Sequence, residues 1–444
     1  MNTVWMIAVE VLSWIELEGL SFSSALIKTV SQLEIRDVKR VSLARRLARE
    51  CLRRRNFVDK IVNHAVAPDS LSDFSLGVQA FLRLYAYSTK FTVVGREAGV
   101  QLAEIGRRVL GWKTLMPVEE ALGKILAIYP PSLLEDVDEI EKISLQTFNP
   151  TWFTKYCIRL LGRSEAIKLL KTQENVLPSF LCINSFKAGE DAVLSTLSKQ
   201  GVILEKFEAL PLLYRIVETK TPLTRLKEYR EGLFYLPNLA SCLAVVAGKP
   251  MADATLLDIG TTHGVKAAYA ALFLKGSGRV LSVDYPSRPM VRLQAQLKRL
   301  NIQNVDVIAS DLGGNLPFKG NADVIYVTPP SSGSGAFWRT SSKWRGSNAV
   351  KRMAEVQWKL LNHSVNYLAR GGCLVYSTSS VLVEENELII ERFLKEYPEF
   401  VLAEVETRMG VHGLRGQEEA VRLYPHMHNV DGTFIAKLIR GVDF

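Results

Sequence analysis

Three acidic residues, each at the end of an apolar run, and a glycine-bearing turn after the first of them are the residues best spaced for chemistry. The run Leu256-Leu257-Asp258-Ile259 leads into Gly260-Thr261-Thr262-His263-Gly264-Val265-Lys266. Glycines after a strand let the backbone turn sharply and approach a ligand closely. The next run ends in Asp284, about twenty residues beyond that loop, where a carboxylate can accept both ribose hydroxyls of an adenosine. A third run ends near Asp311, placed to reach the adenine side. Two cofactors compete for such an edge. A dinucleotide fingerprint has three glycines, two of which seat a pyrophosphate. This loop has only Gly260 and Gly264, with Thr261, Thr262 and His263 between them. S-adenosylmethionine has no pyrophosphate to seat, and the loop suits it better. His263 either donates to the cofactor carboxylate or satisfies the loop backbone.

The elements that must position these residues follow from the apolar pattern. From about residue 226, "TLLDIG", "RVLSVDY", "VDVIAS", "ADVIYVTPP" and "GCLVYSTSS" are short apolar runs bounded by turn residues. Helical stretches separate several of them, which is how buried parallel strands read. The expected fold is therefore α/β, a doubly wound Rossmann-like sheet over 226–444 that binds ligands at the carboxyl ends of its strands. Residues 145–225 alternate helix-like "WFTKYCIRLLG", "SEAIKLLK" and "GEDAVLSTLSKQG" with strand-like "SFLCINSF" and "LLYRIVE", a small α+β module. Residues 1–130 are all helical by periodicity, with Val41, Ala44, Leu47, Ala48, Cys51 and Leu52 on one face. Pro130-Pro131 and the acidic stretch after them mark a linker.

The chain has 444 residues and a formal charge of +9, and a basic excess favours an anionic partner, nucleic acid first. Arg36, Lys39, Arg40, Arg45, Arg46, Arg49, Arg53, Arg54, Arg55 and Lys60 bunch on or beside one predicted helix. That run is either a solvated face or a phosphate-binding surface. The five cysteines are scattered, with no zinc spacing, so no metal is expected and a reducing cytoplasm suits them. Glu10, Glu16 and Glu18 interrupt the apolar start, so neither a signal peptide nor a membrane span is expected.

The segments "LLDIGTTHGVKA", "ADVIYVTPPSSGSG", "GGCLVYSTSSVLVEENE" and "YPHMHNVDGTFIAKLIR" resemble, in order, the motifs of the Sun/RsmB-type RNA cytosine-5 methyltransferases. "YREGLFYLPNLAS" and "KWRGSNAVKRMAEVQWKLL" fit the same pattern. The 145–225 stretch looks like that family's small RNA-binding module, and 1–130 resembles the NusB-like domain of some members. The resemblance implies S-adenosylmethionine as cofactor and rRNA or tRNA as partner. It implies a cofactor site from Asp258, Gly260, Thr261, Thr262, His263, Gly264, Val265, Lys266, Asp284, Asp311 and Thr328.

The resemblance also implies two cysteines, one in a Pro-Cys-Ser-Gly loop and one in a Ser-Thr-Cys-Ser loop. The second attacks carbon 6 of cytosine, and the first helps release the product. Here those positions are Ser331 and Ser379, and the family's aspartate before Pro-Cys is Thr328. Cysteine, of pKa about 8.5, is a few per cent thiolate at neutral pH. A serine hydroxyl lies nearer water's value of about 15.7, so reaching the anion costs on the order of 10 kcal/mol more. Glu384 and Glu385 are the nearby acids that could act as a base, while Cys373 reads as a core residue. His426 matches the family's Pro-His and is expected near the site floor. Three readings stay open: methyl transfer to RNA, a catalytically degenerate RNA-binding or assembly factor, and methylation at a nitrogen or ribose oxygen.

Overall fold

The computed structural model describes residues 1–92, 96–172, 177–260, 264–274, 278–285, 288–312, 316–318, 320–339, 342–407 and 409–441. By its internal packing the chain forms two compact units, one of residues 1–174 with 337–347 and one of 175–336 with 348–444. Among the described residues no helix is long and apolar enough to cross a membrane.

The first unit is helical. Helix Asn2–Glu18 buries Val4, Trp5, Ile7, Ala8, Val11 and Leu12, while helix Leu76–Phe91 is buried along most of its length. The basic helix Val38–Arg53 starts at Asp37, whose side chain accepts from Lys39 N–H and Arg40 N–H, an N-cap that satisfies two orphan donors. It lays Ala44, Ala48, Cys51 and Leu52 on the core and keeps its cations outside. Helices Thr151–Leu161 and Arg163–Lys171, read from sequence with the α+β module, belong to this unit.

The second unit holds two sheets. β1 (Phe180–Ile183), β2 (Val202–Lys206), β3 (Leu213–Thr219) and β4 (Phe234–Tyr235) make an antiparallel sheet in the order β2-β3-β1-β4. Asn184, buried just after β1, donates to the carbonyls of Gly232 and Leu300 at 2.8 and 2.7 Å and so ties this sheet to the next layer.

The main sheet contains β5 (Thr255–Ile259), β6 (Arg279–Asp284), β7 (Val305–Ala309), β8 (Ala322–Val327), β9 (Leu368–Thr378), β10 (Phe400–Ala403), β11 (Val411–His412), β12 (Val421–Leu423) and β13 (Thr433–Arg440). Its order is β11-β12-β13-β9-β8-β5-β6-β7, with β10 on β13. β5 through β9 pair in parallel, and β13 closes against β9 antiparallel. The expected Rossmann-like α/β fold is the one found. Strand order reverses between β5 and β8, the switch point where such sheets open a crevice. A buried, bidentate ion pair between Glu387 and Arg422 at 2.5 Å pins helix Glu387–Glu396 to β12.

Candidate cofactor and active site

The site is built at the carboxyl edge of β5, β6, β8 and β9. Gly260 leaves β5 with φ +78°, and a Cβ there would lie 2.4 Å from the Thr328 carbonyl oxygen. Only glycine therefore lets the ends of β5 and β8 close together. Gly260 N–H donates to Val283 O and Thr328 N–H to Ile259 O, both at 3.0 Å. Gly264, left-handed at φ +67°, precedes helix Val265–Phe273, whose first N–H groups have no intrahelical partner. Thr261, Thr262 and His263 lie outside the described residues.

Asp258 lies near the end of β5 and Lys266 in the first turn of the helix that follows Gly264. Both are buried, and they form an ion pair at 2.7 Å. Lys266 Nζ also donates to Thr328 Oγ1, which lies 3.2 Å from Ser377 Oγ. Asp258, Lys266, Thr328 and Ser377 thus make a polar line that links the ends of β5, β8 and β9. A charge buried in this way is kept by its partner. The Lys266 side chain runs back to the Asp258 carboxylate. Val265 is half-buried beside it.

Asp284 ends β6 half-exposed and accepts from the N–H of Tyr285 at 2.7 Å. The Tyr285 hydroxyl donates to Asp311 at 2.5 Å, which brings the two predicted acids onto one rim. That bond to Asp311 raises the Tyr285 phenol above its ordinary pKa. The Tyr285 ring is 53% exposed, a flat face beside two carboxylates. Sequence reasoning passed over it, although its place directly after the strand-end acid is a usable signal.

Ser331 and Ser379 come from loops that are stitched together. Gly335 N–H donates to the Ser379 carbonyl at 3.1 Å, Val381 N–H to Ser334 Oγ at 3.0 Å, and Ser334 and Ser380 hydroxyls meet at 2.8 Å. Ser379 is exposed and Ser331 half-buried. The stitching centres on Glu385, which is fully buried. It accepts from Ser332 N–H at 2.7 Å, Ser332 Oγ and Ser380 Oγ at 2.5 Å each, and Gln357 Nε2 at 2.9 Å. Glu385 therefore grips the residue after each of the two family cysteine positions and not the positions themselves. Among the described residues neither the Ser331 nor the Ser379 hydroxyl has a hydrogen-bond partner, and Glu385 acts as a clamp between the two loops.

The other candidates are structural. Cys373 is buried in β9 and burial pushes its thiol up to about 11. Cys182 is likewise pushed up to about 12. The His426 ring packs 5.7 Å from Tyr424, and His428 Nδ1 accepts from Tyr424 N–H at 2.9 Å.

In the helical unit, pairing divides the cations of the basic run. Arg53 and Arg54 are held by Glu50, Arg55 by Glu16 and Asp59, Lys60 by Glu141, and Arg40 by Asp37. Arg36, Lys39, Arg45 and Arg46 are exposed and have no ion-pair partner among the described residues. The surface available to phosphates is thus narrower than the ten cations in sequence.

Residues 245–439 match the family model described as 16S rRNA methyltransferase RsmB/F. Over that stretch the chain is similar to the RsmB/F methyltransferase family. Among relatives, it is 28% identical over 63% of its length to the 25S rRNA (cytosine-C(5))-methyltransferase nop2 of Schizosaccharomyces pombe, covering 49% of that protein. It is 29% identical over half its length to the tRNA (cytosine(72)-C(5))-methyltransferase of Pyrococcus horikoshii, covering 56% of it. The chain spans about half or less of the length of the first curated relatives it matches. The solved structure of PH0851 superposes with TM-score 0.81 at 21% identity over 99% of this chain and 98% of that one. That of NSun6 from Pyrococcus horikoshii with SFG superposes at 0.61 and 21%, over 66% and 99%. The matched stretch 245–439 includes the strand ends that carry Gly260, Asp284, Ser331 and Ser379.

Proposed function

We propose that this chain binds S-adenosylmethionine and transfers a methyl group to RNA, of the rRNA or tRNA class on which its named relatives act. One observation carries the reading: the turn at Gly260 and Gly264, the Asp284-Tyr285-Asp311 rim and the Ser331 and Ser379 loops share one sheet edge. The residues fit an adenosyl group. Asp284 is half-exposed for ribose hydroxyls, Tyr285 offers a ring face for the base, and the start of helix Val265–Phe273 offers N–H groups to a carboxylate. When bound, S-adenosylmethionine supplies an electrophilic methyl group on sulfur. The chain's own part is to orient it and to hold an RNA base over Ser331 and Ser379. Lys266 keeps Thr328 oriented toward that edge, and Glu385 keeps the two serine loops at fixed spacing.

The hydroxyls bear on which atom is methylated. Attack of serine oxygen on cytosine carbon 6 needs the hydroxyl proton to leave, and no described side chain is bonded to take it. The test is incubation of RNA with labelled S-adenosylmethionine followed by nucleoside analysis. Methylated nucleoside is expected, its identity giving the acceptor atom. No calorimetric cofactor binding at millimolar concentration would refute the reading. Ser331→Cys/Ser379→Cys supplies the thiols, and cytosine-5 product from that variant alone would favour the non-enzymatic RNA-binding reading of the wild type.

A further inference from the structure

In the helical unit a cavity of about 350 Å³ opens between helices Glu139–Gln146 and Arg163–Lys171. Glu139, Lys142, Ile143 and Gln146 recur at i, i+3, i+4 and i+7, so one face of the first helix lines it. Arg163, Ile167 and Lys171 recur at i, i+4 and i+8 and line it from the other side. The floor is aliphatic, with Ile143 buried and Ile167 half-buried. The rim is cationic: Glu139 neutralises Arg163, but Lys142 and Lys171 are exposed and have no ion-pair partner among the described residues. Gln146 is exposed and its carboxamide makes no hydrogen bond among the described residues.

An apolar floor with two unpaired ammonium groups and a free carboxamide matches a nucleotide. The base face meets Ile143 and Ile167, its edge meets Gln146, and the flanking phosphates meet Lys142 and Lys171. The volume is at the low end of the ~300–1,000 Å³ of small-molecule pockets, which suits one splayed-out nucleotide and excludes a duplex. We propose that this cavity seats one unpaired nucleotide of the RNA substrate, at a site separate from the strand-end crevice. The inference rests on the RNA reading above.

The test uses the full chain and a short single-stranded RNA of mixed sequence, with affinity measured by fluorescence anisotropy across salt concentrations. Lys142→Gln/Lys171→Gln is expected to lower the slope of log K against log salt by about 1.4, since each phosphate contact on a single strand contributes about 0.7. Ile167→Ser is expected to weaken binding several-fold and leave that slope unchanged, a split that a general charge effect does not give. These positions are surface or half-buried, and a melting temperature near wild type confirms that the variants fold. If wild type binds RNA and both variants match it in affinity and slope, the cavity is overturned and the RNA reading stands. If wild type binds no RNA, both fall. If adenosine monophosphate binds in the cavity while the RNA slope does not move, the site takes free nucleotide and the proposal is refuted.

Discussion

Replacing Glu385 by alanine tests whether one buried carboxylate fixes the two serine loops. It accepts from four donors on three segments: Ser332 N–H, Ser332 Oγ, Ser380 Oγ and Gln357 Nε2. Hydrogen bonds to a charged group contribute about 1.5–3 kcal/mol each, but the losses do not simply add. Ser332 Oγ and Ser380 Oγ also accept from Ser334 N–H and Leu382 N–H, and Gln357 Nε2 also donates to Pro330 O at 3.0 Å, so those groups keep a partner. The expected loss for Glu385→Ala is therefore about 2–4 kcal/mol, the charge-assisted bonds lost less what the surviving partners recover. For a domain of this size that lowers Tm by roughly 10 °C, at ~2–4 °C per kcal/mol. Glu385→Gln keeps the volume but turns an amide N–H₂ toward donors, and about half the loss is expected. Calorimetric unfolding reads both variants, and limited proteolysis at 330–336 and 379–386 reads the loops. A Glu385→Ala loss below about 1 kcal/mol with unchanged proteolysis would refute the clamp.

Four further outcomes follow from the same contacts. Gly260→Ala forces a Cβ to 2.4 Å from Thr328 O at φ +78° and should abolish calorimetric binding of S-adenosylmethionine, with a stability loss above about 1–2 kcal/mol. Glu387→Ala leaves Arg422 buried and unpaired and should cost about 3–5 kcal/mol, while Glu387→Leu/Arg422→Met should cost less, a difference that a double-mutant cycle in denaturant measures. His428 is held below its ordinary 6.5 by burial, so its NMR titration midpoint should fall below that value. Folding of its turn then loses stability as pH falls from 6.5 through the folded value, because the unfolded histidine takes up the proton first. Burial, helped by Arg53 and Arg54, holds the Lys343 amine well below the usual lysine range. Its unfolded form binds a proton that the folded form does not, so wild type should gain stability over Lys343→Met as pH rises toward about 10.4.

Much of the sheet was legible because β5, β6, β8 and β9 are buried on both faces and therefore read as short unbroken apolar runs. β2 and β4 were not, since their outer residues alternate or their length is two residues. Asp284 and Asp311 could be placed from spacing, whereas the tyrosine that bridges them depends on how two loops approach. Asp258 and Lys266 sit at the expected sequence positions, but only coordinates show that they satisfy each other. The same holds for the basic helix: Lys60 finds its partner at Glu141, in a helix far along the chain, and local sequence carries no record of that pairing. The clamping role of Glu385 was not legible, because Ser332 and Gln357 reach it from segments distant in sequence.

The segment Phe337–Ser347 lies in sequence after β8 yet completes the helical unit. Its Lys343 amine donates to the carbonyls of Arg53 and Phe148 at 3.0 and 2.7 Å, and the Trp344 indole N–H to that of Leu52 at 2.9 Å. These close the last turn of helix Val38–Arg53. During synthesis the N-terminal helices are therefore finished long before their final piece exists. At ~5–20 residues per second, the ribosome needs roughly 9–35 s to travel from residue 174 to residue 347. Over that interval the early helices must wait with the carbonyls of Leu52, Arg53 and Phe148 turned to water, and no single peptide bond exists at which the chain could be cut to release them whole.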